Sequence, residues 1–173
     1  MAISILFLAG CTKEAMQDNA ILAESQSAKN SAAQKVRVTR PIFNSLQSDP
    51  DLSLPPLPCG VGGGAIFYGN MTHLGKVYGN VVNKTCGLTA DGRFYISSED
   101  IGYAANGDQL WTKGTIYVTF PTSGNIATIT GGSTIVGGTG RFEGATGYFI
   151  YENMVVDLLT GHESHTAYGE ITY

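Results

Sequence analysis

Long apolar runs are scarce in this chain of 173 residues. Residues 2–10 (Ala-Ile-Ser-Ile-Leu-Phe-Leu-Ala-Gly) form one, and it is far too short to cross a bilayer as a helix. Positive charge is also scarce: ten Lys and Arg stand against fourteen Asp and Glu, for a formal charge of −4. Residues 12–58 balance their charges, so the whole excess falls on residues 59–173, where the only cations are Lys76, Lys84, Arg93, Lys113 and Arg141. That excludes a basic nucleic-acid footprint and argues against electrostatic adhesion to anionic lipid heads. There are three cysteines, Cys11, Cys59 and Cys86, and none lies near a histidine in sequence, so a thiol nucleophile has no visible support. No Gly-x-Ser-x-Gly occurs, which removes the nucleophile elbow. No Gly-Lys-Ser or Gly-Lys-Thr occurs, which removes the lysine-containing phosphate loop. Within residues 59–173 no segment keeps a helical apolar period with caps.

Glycine is plentiful, at 23 residues. It is densest from Gly131 to Gly147, at 131, 132, 137, 138, 140, 144 and 147, with Thr134, Ile135, Val136, Thr139 and Phe142 between. Glycine serves where a backbone takes positive φ or where two backbones pass closely. Among strand-type residues such a run reads as a strand, a tight corner and a second strand. A sheet that closes on itself needs that bend. A dinucleotide site is excluded: Gly138-Thr139-Gly140 reaches Gly144 one residue late, and Tyr148-Phe149-Ile150-Tyr151 offers strand formers where a helix N-terminus would hold the pyrophosphate.

The stretch Ile135-Val136-Gly137-Gly138-Thr139-Gly140-Arg141-Phe142-Glu143-Gly144-Ala145-Thr146-Gly147 resembles the signature of the allene oxide cyclase and dirigent-type β-barrels. It is closer still to bacterial secreted proteins that share that barrel. Two further stretches are similar to segments of those bacterial proteins and occur in the same order: Gly69-Asn70-Met71-Thr72-His73-Leu74-Gly75 and Ala104-Ala105-Asn106-Gly107-Asp108. The resemblance covers roughly residues 60–173. It implies a barrel whose interior takes a small apolar ligand or steers a cyclisation or isomerisation, and, because dirigent-type barrels often trimerise, a homo-oligomer. In that superfamily the working carboxylates lie on other strands, so no catalytic residue is carried over. No cofactor is implied.

Residues 1–10 fit the apolar region of a secretory signal. Leu8-Ala9-Gly10-Cys11 resembles the bacterial lipobox, which implies cleavage before Cys11 and lipidation of its thiol. One departure is that no Lys or Arg precedes the apolar run. Residues 11–58 read as the lipidated cysteine and a flexible tether: Ala, Ser, Gln, Asn and Lys dominate, and Pro41, Pro50, Pro55, Pro56 and Pro58 punctuate the end. The expected location is therefore the bacterial cell envelope, extracytoplasmic, anchored by lipid at the outer membrane or the periplasmic face.

Residues 59–173 read as one all-β domain rich in Tyr, Phe, Val, Ile and Thr. Strands are expected at 65–71, 76–83, 92–98, 101–105, 109–120, 125–130, 134–137, 145–156 and 163–173. Asn106-Gly107 is the strongest hairpin signal, and residues 157–161 turn the last pair. About eight antiparallel strands suit a small closed barrel; an open two-sheet sandwich is the alternative. In the last strand His165, Ala167, Gly169 and Ile171 share one face. In the strand before, neither alternating set is cleanly polar.

His162, Glu163 and His165, with His73 distant in sequence, make the one His/Glu cluster. Its spacing matches no strong zinc pattern, so His162 and His165 are weak metal candidates beside the plainer reading as turn residues. Arg141, Glu143 and Asp108 flank glycines; an ion pair pinning the corner and an acid/base site in the barrel mouth are both open, with the structural role favoured. Gly137, Gly138, Gly140, Arg141, Phe142, Gly144 and Gly147 are the expected structural corner. In an exported protein the pair Cys59 and Cys86 suggests a disulfide. Two function classes follow: a binding or structural module, and a cyclase- or isomerase-like enzyme. The interior discriminates them, because a roomy cavity with a buried carboxylate of raised pKa favours the enzyme.

Overall fold

Alternation of buried and exposed side chains defines the strands. The computed structural model describes residues 36–173. The strands are β1 (Thr39–Pro50), β2 (Ala65–Met71), β3 (Gly75–Leu88), β4 (Phe94–Ala104), β5 (Gln109–Thr119), β6 (Ile126–Gly138), β7 (Thr146–Asp157) and β8 (Glu163–Thr172). Each pairs antiparallel with the next, and β1 pairs with β8, so the sheet closes into an eight-stranded barrel. The closing seam runs from Thr39 opposite Thr172 to Ser48 opposite Glu163. Closure leaves no edge strand to template aggregation.

Three sequence expectations are corrected. The tether expected over 11–58 ends earlier, because β1 occupies Thr39–Pro50 within it. Its alternation is real: Ile42, Asn44, Leu46 and Ser48 are buried and their neighbours exposed. It escaped notice because two of the four inward residues are polar and prolines bracket the strand. Pro41 is tolerated because pairing with β2 begins only at Asn44. Next, the break expected around residues 99–100 is absent and β4 runs through it. Glu99 points outward to Lys113 and Asn83, while Asp100 points inward and accepts from the Thr112 and Ser98 hydroxyls at 2.8 and 3.1 Å. Finally, Gly131-Gly132 does not divide β6. Gly131 takes φ +138°, and a side chain there would run into the Thr115 carbonyl of β5. The signal segment, Cys11 and the tether up to residue 35 lie outside the described residues.

The corner lies between β6 and β7. Val136 and Gly137 form a bulge opposite Trp111, and Gly138 leads through Thr139 into a single 3₁₀ turn, Gly140–Phe142. Gly140 takes φ +58° directly against the Asp108 carboxylate, where any side chain would collide. Phe142 is fully buried and Tyr173 packs edge-on against it, with ring centroids 5.2 Å apart. Arg37 donates to the Gly144 carbonyl, and Gly147 pairs with Ile171 on β8.

These contacts close one end of the barrel. Ile42, Leu74, Leu110, Ile135, Phe142, Ala145 and Ile171 form its solid core. At the other end the β1–β2 connection, residues 51–64, folds over the rim. Its backbone is tied by Asp51 N–H to Gly64 O and Leu57 N–H to Val61 O, at 3.1 and 2.7 Å. Cys59 in that connection is disulfide-bonded to Cys86 near the end of β3, with Cα atoms 6.4 Å apart. That separation is ordinary for a disulfide.

Candidate functional site

The end of the barrel away from the corner is hollow. An internal chamber of about 90 Å³ lies in the mid-barrel. A single ordered water needs only about 10–15 Å³ on this measure, so the chamber holds several waters or part of a small ligand. A second space of about 310 Å³ lies at the rim under the β1–β2 connection. The two share Ala65, Lys84, Ile96 and Glu163 as a common neck. The outer space is walled by Phe94, Val118, Phe120, Ile129, Val156 and Leu158. The inner chamber is apolar on Leu46, Phe67, Met71, Leu110 and Phe149 and polar on Asn44, Ser48, Asp100, Thr112, Tyr151 and His165.

Two bulges bring the lining into place. On β3, Val77 and Val81 face inward, and the register then shifts between Val82 and Thr85. Asn83 there adopts φ +50°, a left-handed conformation that asparagine tolerates better than most residues. The shift turns Lys84 inward. On β7, Phe149 and Tyr151 face inward, Asn153 adopts φ +51°, and Met154 follows inward after the shift between Glu152 and Val155. This explains why the sequence of β7 showed no cleanly polar face: the inward parity changes partway along.

Burial sets the electrostatics. It pushes the Asp100 carboxyl up to about 6, against the two hydroxyls that donate to it. Burial also raises Glu163, which accepts from the Ser48 hydroxyl at 2.9 Å. The same cause lowers Lys84, opposed by the fields of Glu163 and Asp100. Tyr151 is raised by burial and by Asp100, and its hydroxyl lies 2.6 Å from Ser133 Oγ. Burial holds His165 down at about 4, so its imidazole is neutral. The His165 ring stands edge-on to Tyr151 at 5.0 Å. Neither His165 ring nitrogen finds a hydrogen-bond partner among the described residues, and neither does Asn44 Oδ1 on a residue only 3% exposed. Such orphaned atoms are costly when buried dry.

The His/Glu cluster separates in space. Glu163 and His165 line the chamber. His162 turns outward, its Nδ1 2.7 Å from Asp49 Oδ1, which holds Asp49 below the ordinary carboxylate range. His73 is at the closed end, 3.0 Å from the Pro41 carbonyl and 5.8 Å from the Tyr173 ring. Among the described residues no three His, Cys, Asp or Glu side chains gather to hold a metal. Arg141 and Asp108 pair at 3.5 Å, both partly exposed, with the guanidinium over the Phe142 ring. They tie the β4–β5 turn to the corner, at the closed end and away from the chamber, an arrangement that suits the structural role.

Sequence reasoning missed Asn44, Ser48, Lys84, Asp100, Thr112 and Tyr151. A signal was present for two of them. Asp100 keeps step with Ile96, Ser98, Gly102 and Ala104 on the buried face of β4, and Asn83 before Lys84 is a residue suited to a bulge. Compared with known proteins, the chain matches no family model and no curated sequence.

Proposed function

We propose that this protein is a small-ligand-binding barrel, carried in the bacterial cell envelope on a lipid attached to Cys11. A single observation carries the binding reading: a chamber inside the barrel, lined by apolar side chains and by Asn44, Asp100, Tyr151, Glu163 and His165, and continued outward by an apolar space of about 310 Å³. Pockets for small molecules have this composition, mostly apolar with a few convergent polar groups. The kinship with allene oxide cyclase and dirigent-type barrels, and assembly into a homo-oligomer, belong to the same proposal. The kinship is supported by the glycine-rich corner and by the eight-stranded closure, and the homo-oligomer follows from that kinship alone.

A cyclase- or isomerase-like activity is the second reading. It is favoured by Asp100, a buried carboxyl whose pKa of about 6 suits proton transfer near neutrality. In that reading the apolar wall fixes the conformation of the reacting molecule and Asp100 moves the proton.

The binding reading is tested by native mass spectrometry of protein purified from its host. A retained adduct that is lost on denaturation is the expected result. A bare mass, together with failure to bind any amphiphile in titration, overturns it. The anchor is tested by Cys11→Ala, which is expected to leave the membrane fraction; a variant that still pellets with membranes refutes lipidation.

A further inference from the structure

We infer that the ligand carries a protonated amine at the end of an apolar chain, an inference that rests on the binding reading above. The charge count at the neck and chamber decides it. Among the described residues Lys84 is the one cation in that lining, which it shares with two carboxyl groups, those of Asp100 and Glu163. Whenever both carboxyls are ionised, one negative charge is left over inside a wall of low polarity, where a ligand cation offsets it and a second anion adds to it.

The hydrogen-bond count agrees. Asp100 has two hydroxyl donors and Glu163 has one, from Ser48. The unsatisfied atoms are Asn44 Oδ1, an acceptor, and the two nitrogens of a neutral imidazole, one of which accepts. An ammonium group brings three donors and no acceptor. It would bring the cluster to two cations and two anions and place donors beside Asn44 and His165. A carboxylate ligand would set three anions against Lys84, and an alcohol would leave the excess charge in place. The apolar outer space, walled by Phe94, Val118, Phe120 and Leu158, takes the tail. The molecule therefore enters head first and lodges its charge at the Lys84–Glu163 neck or just beyond it.

Isothermal titration of the intact protein with n-octylamine, n-octanol and n-octanoic acid at about pH 7.5, where the free amine is protonated and the free acid ionised, tests the inference. The amine is expected to bind at least about tenfold tighter than the alcohol, with the acid weakest, the scale of one charge-assisted hydrogen bond. Equal affinities, or an acid that matches the amine, overturn the inference and leave the binding reading standing. Failure of all three probes overturns both. Asp100→Asn and Glu163→Gln are each expected to weaken the amine about tenfold while leaving the alcohol within about twofold. Lys84→Met is expected to tighten the amine. Retention of amine preference in both carboxylate variants refutes the assignment, and the wild-type series decides alone if a variant does not fold.

Discussion

The two ends of this barrel are built from the same eight strands and solve opposite problems. At the closed end the glycine corner lets Phe142 drop into the bore, where Ile42, Leu74, Ile135 and Ile171 surround it and Tyr173 covers it. At the hollow end the bore keeps Asn44, Asp100, Glu163, Lys84 and His165, and a disulfide-bonded loop folds over the rim. One end holds the wall together and the other leaves room for chemistry. A barrel of this size can hold one small ligand only where large side chains are withheld from its axis.

The sharpest test of that contrast compares truncations. Phe142→Ala is expected to cost about 3–5 kcal/mol in urea unfolding, since a fully buried ring leaves a cavity that rigid neighbours cannot fill. Met154→Ala, on the wall of a chamber that is already open, is expected to cost under about 2 kcal/mol. Equal costs would erase the distinction between the ends.

Removing the staple comes next. Cys59 and Cys86 are 27 residues apart, so the double alanine variant is expected to lose about 3–4 kcal/mol by loop entropy. The loss should appear as a lower midpoint in guanidinium for the variant and for the reduced wild type alike.

The pH response separates two groups within the hollow end. The titratable side chains facing the chamber are Lys84, Asp100, Tyr151, Glu163 and His165; the lining residues on β1, β2 and β5 do not titrate. Asp100 is raised from 3.8 to about 6, so the folded state holds its proton more tightly and acidification through 6 toward 4 stabilises. Glu163, also raised, acts in the same sense. His165 is lowered from 6.5 to about 4, so the unfolded chain takes up the proton first and acidification through the same window destabilises. Asp100→Asn should therefore lose thermal stability faster than wild type between about pH 6.5 and 4, and His165→Gln should gain it, with Tm differences of about 4 °C or more. Parallel Tm curves for all three proteins would contradict the burial of both groups. The smallest effect is expected at the closed end's surface: Arg141→Met should change stability by under about 1 kcal/mol, because the pair with Asp108 is solvated.

The closed end was largely legible in the sequence. Glycine spacing, Asn106-Gly107 and strand-forming residues act locally, and local conformation is what sequence patterns report most directly. The hollow end was not. Strand β1 was hidden because its inward positions Asn44 and Ser48 are polar, which a hydrophobic alternation rule cannot see. Lys84 was hidden because a bulge at Asn83 resets which residues face in. Asp100 fell between two expected strands, because a carboxylate facing inward makes sense only when Thr112 and Ser98 arrive from the same sheet to meet it. The Cys59–Cys86 pairing was suggested by number alone; its geometry depends on where the rim loop lands.

Asn83 and Asn153 are, in effect, slack in the weave. Each is a supernumerary residue that its partner strand does not count. A chain shortened by one at either place would straighten the local backbone yet keep Lys84 or Met154 on the axis, whereas a deletion elsewhere in those two strands would invert every side chain beyond it. At these two places the chain can change its length without exchanging its interior for its exterior.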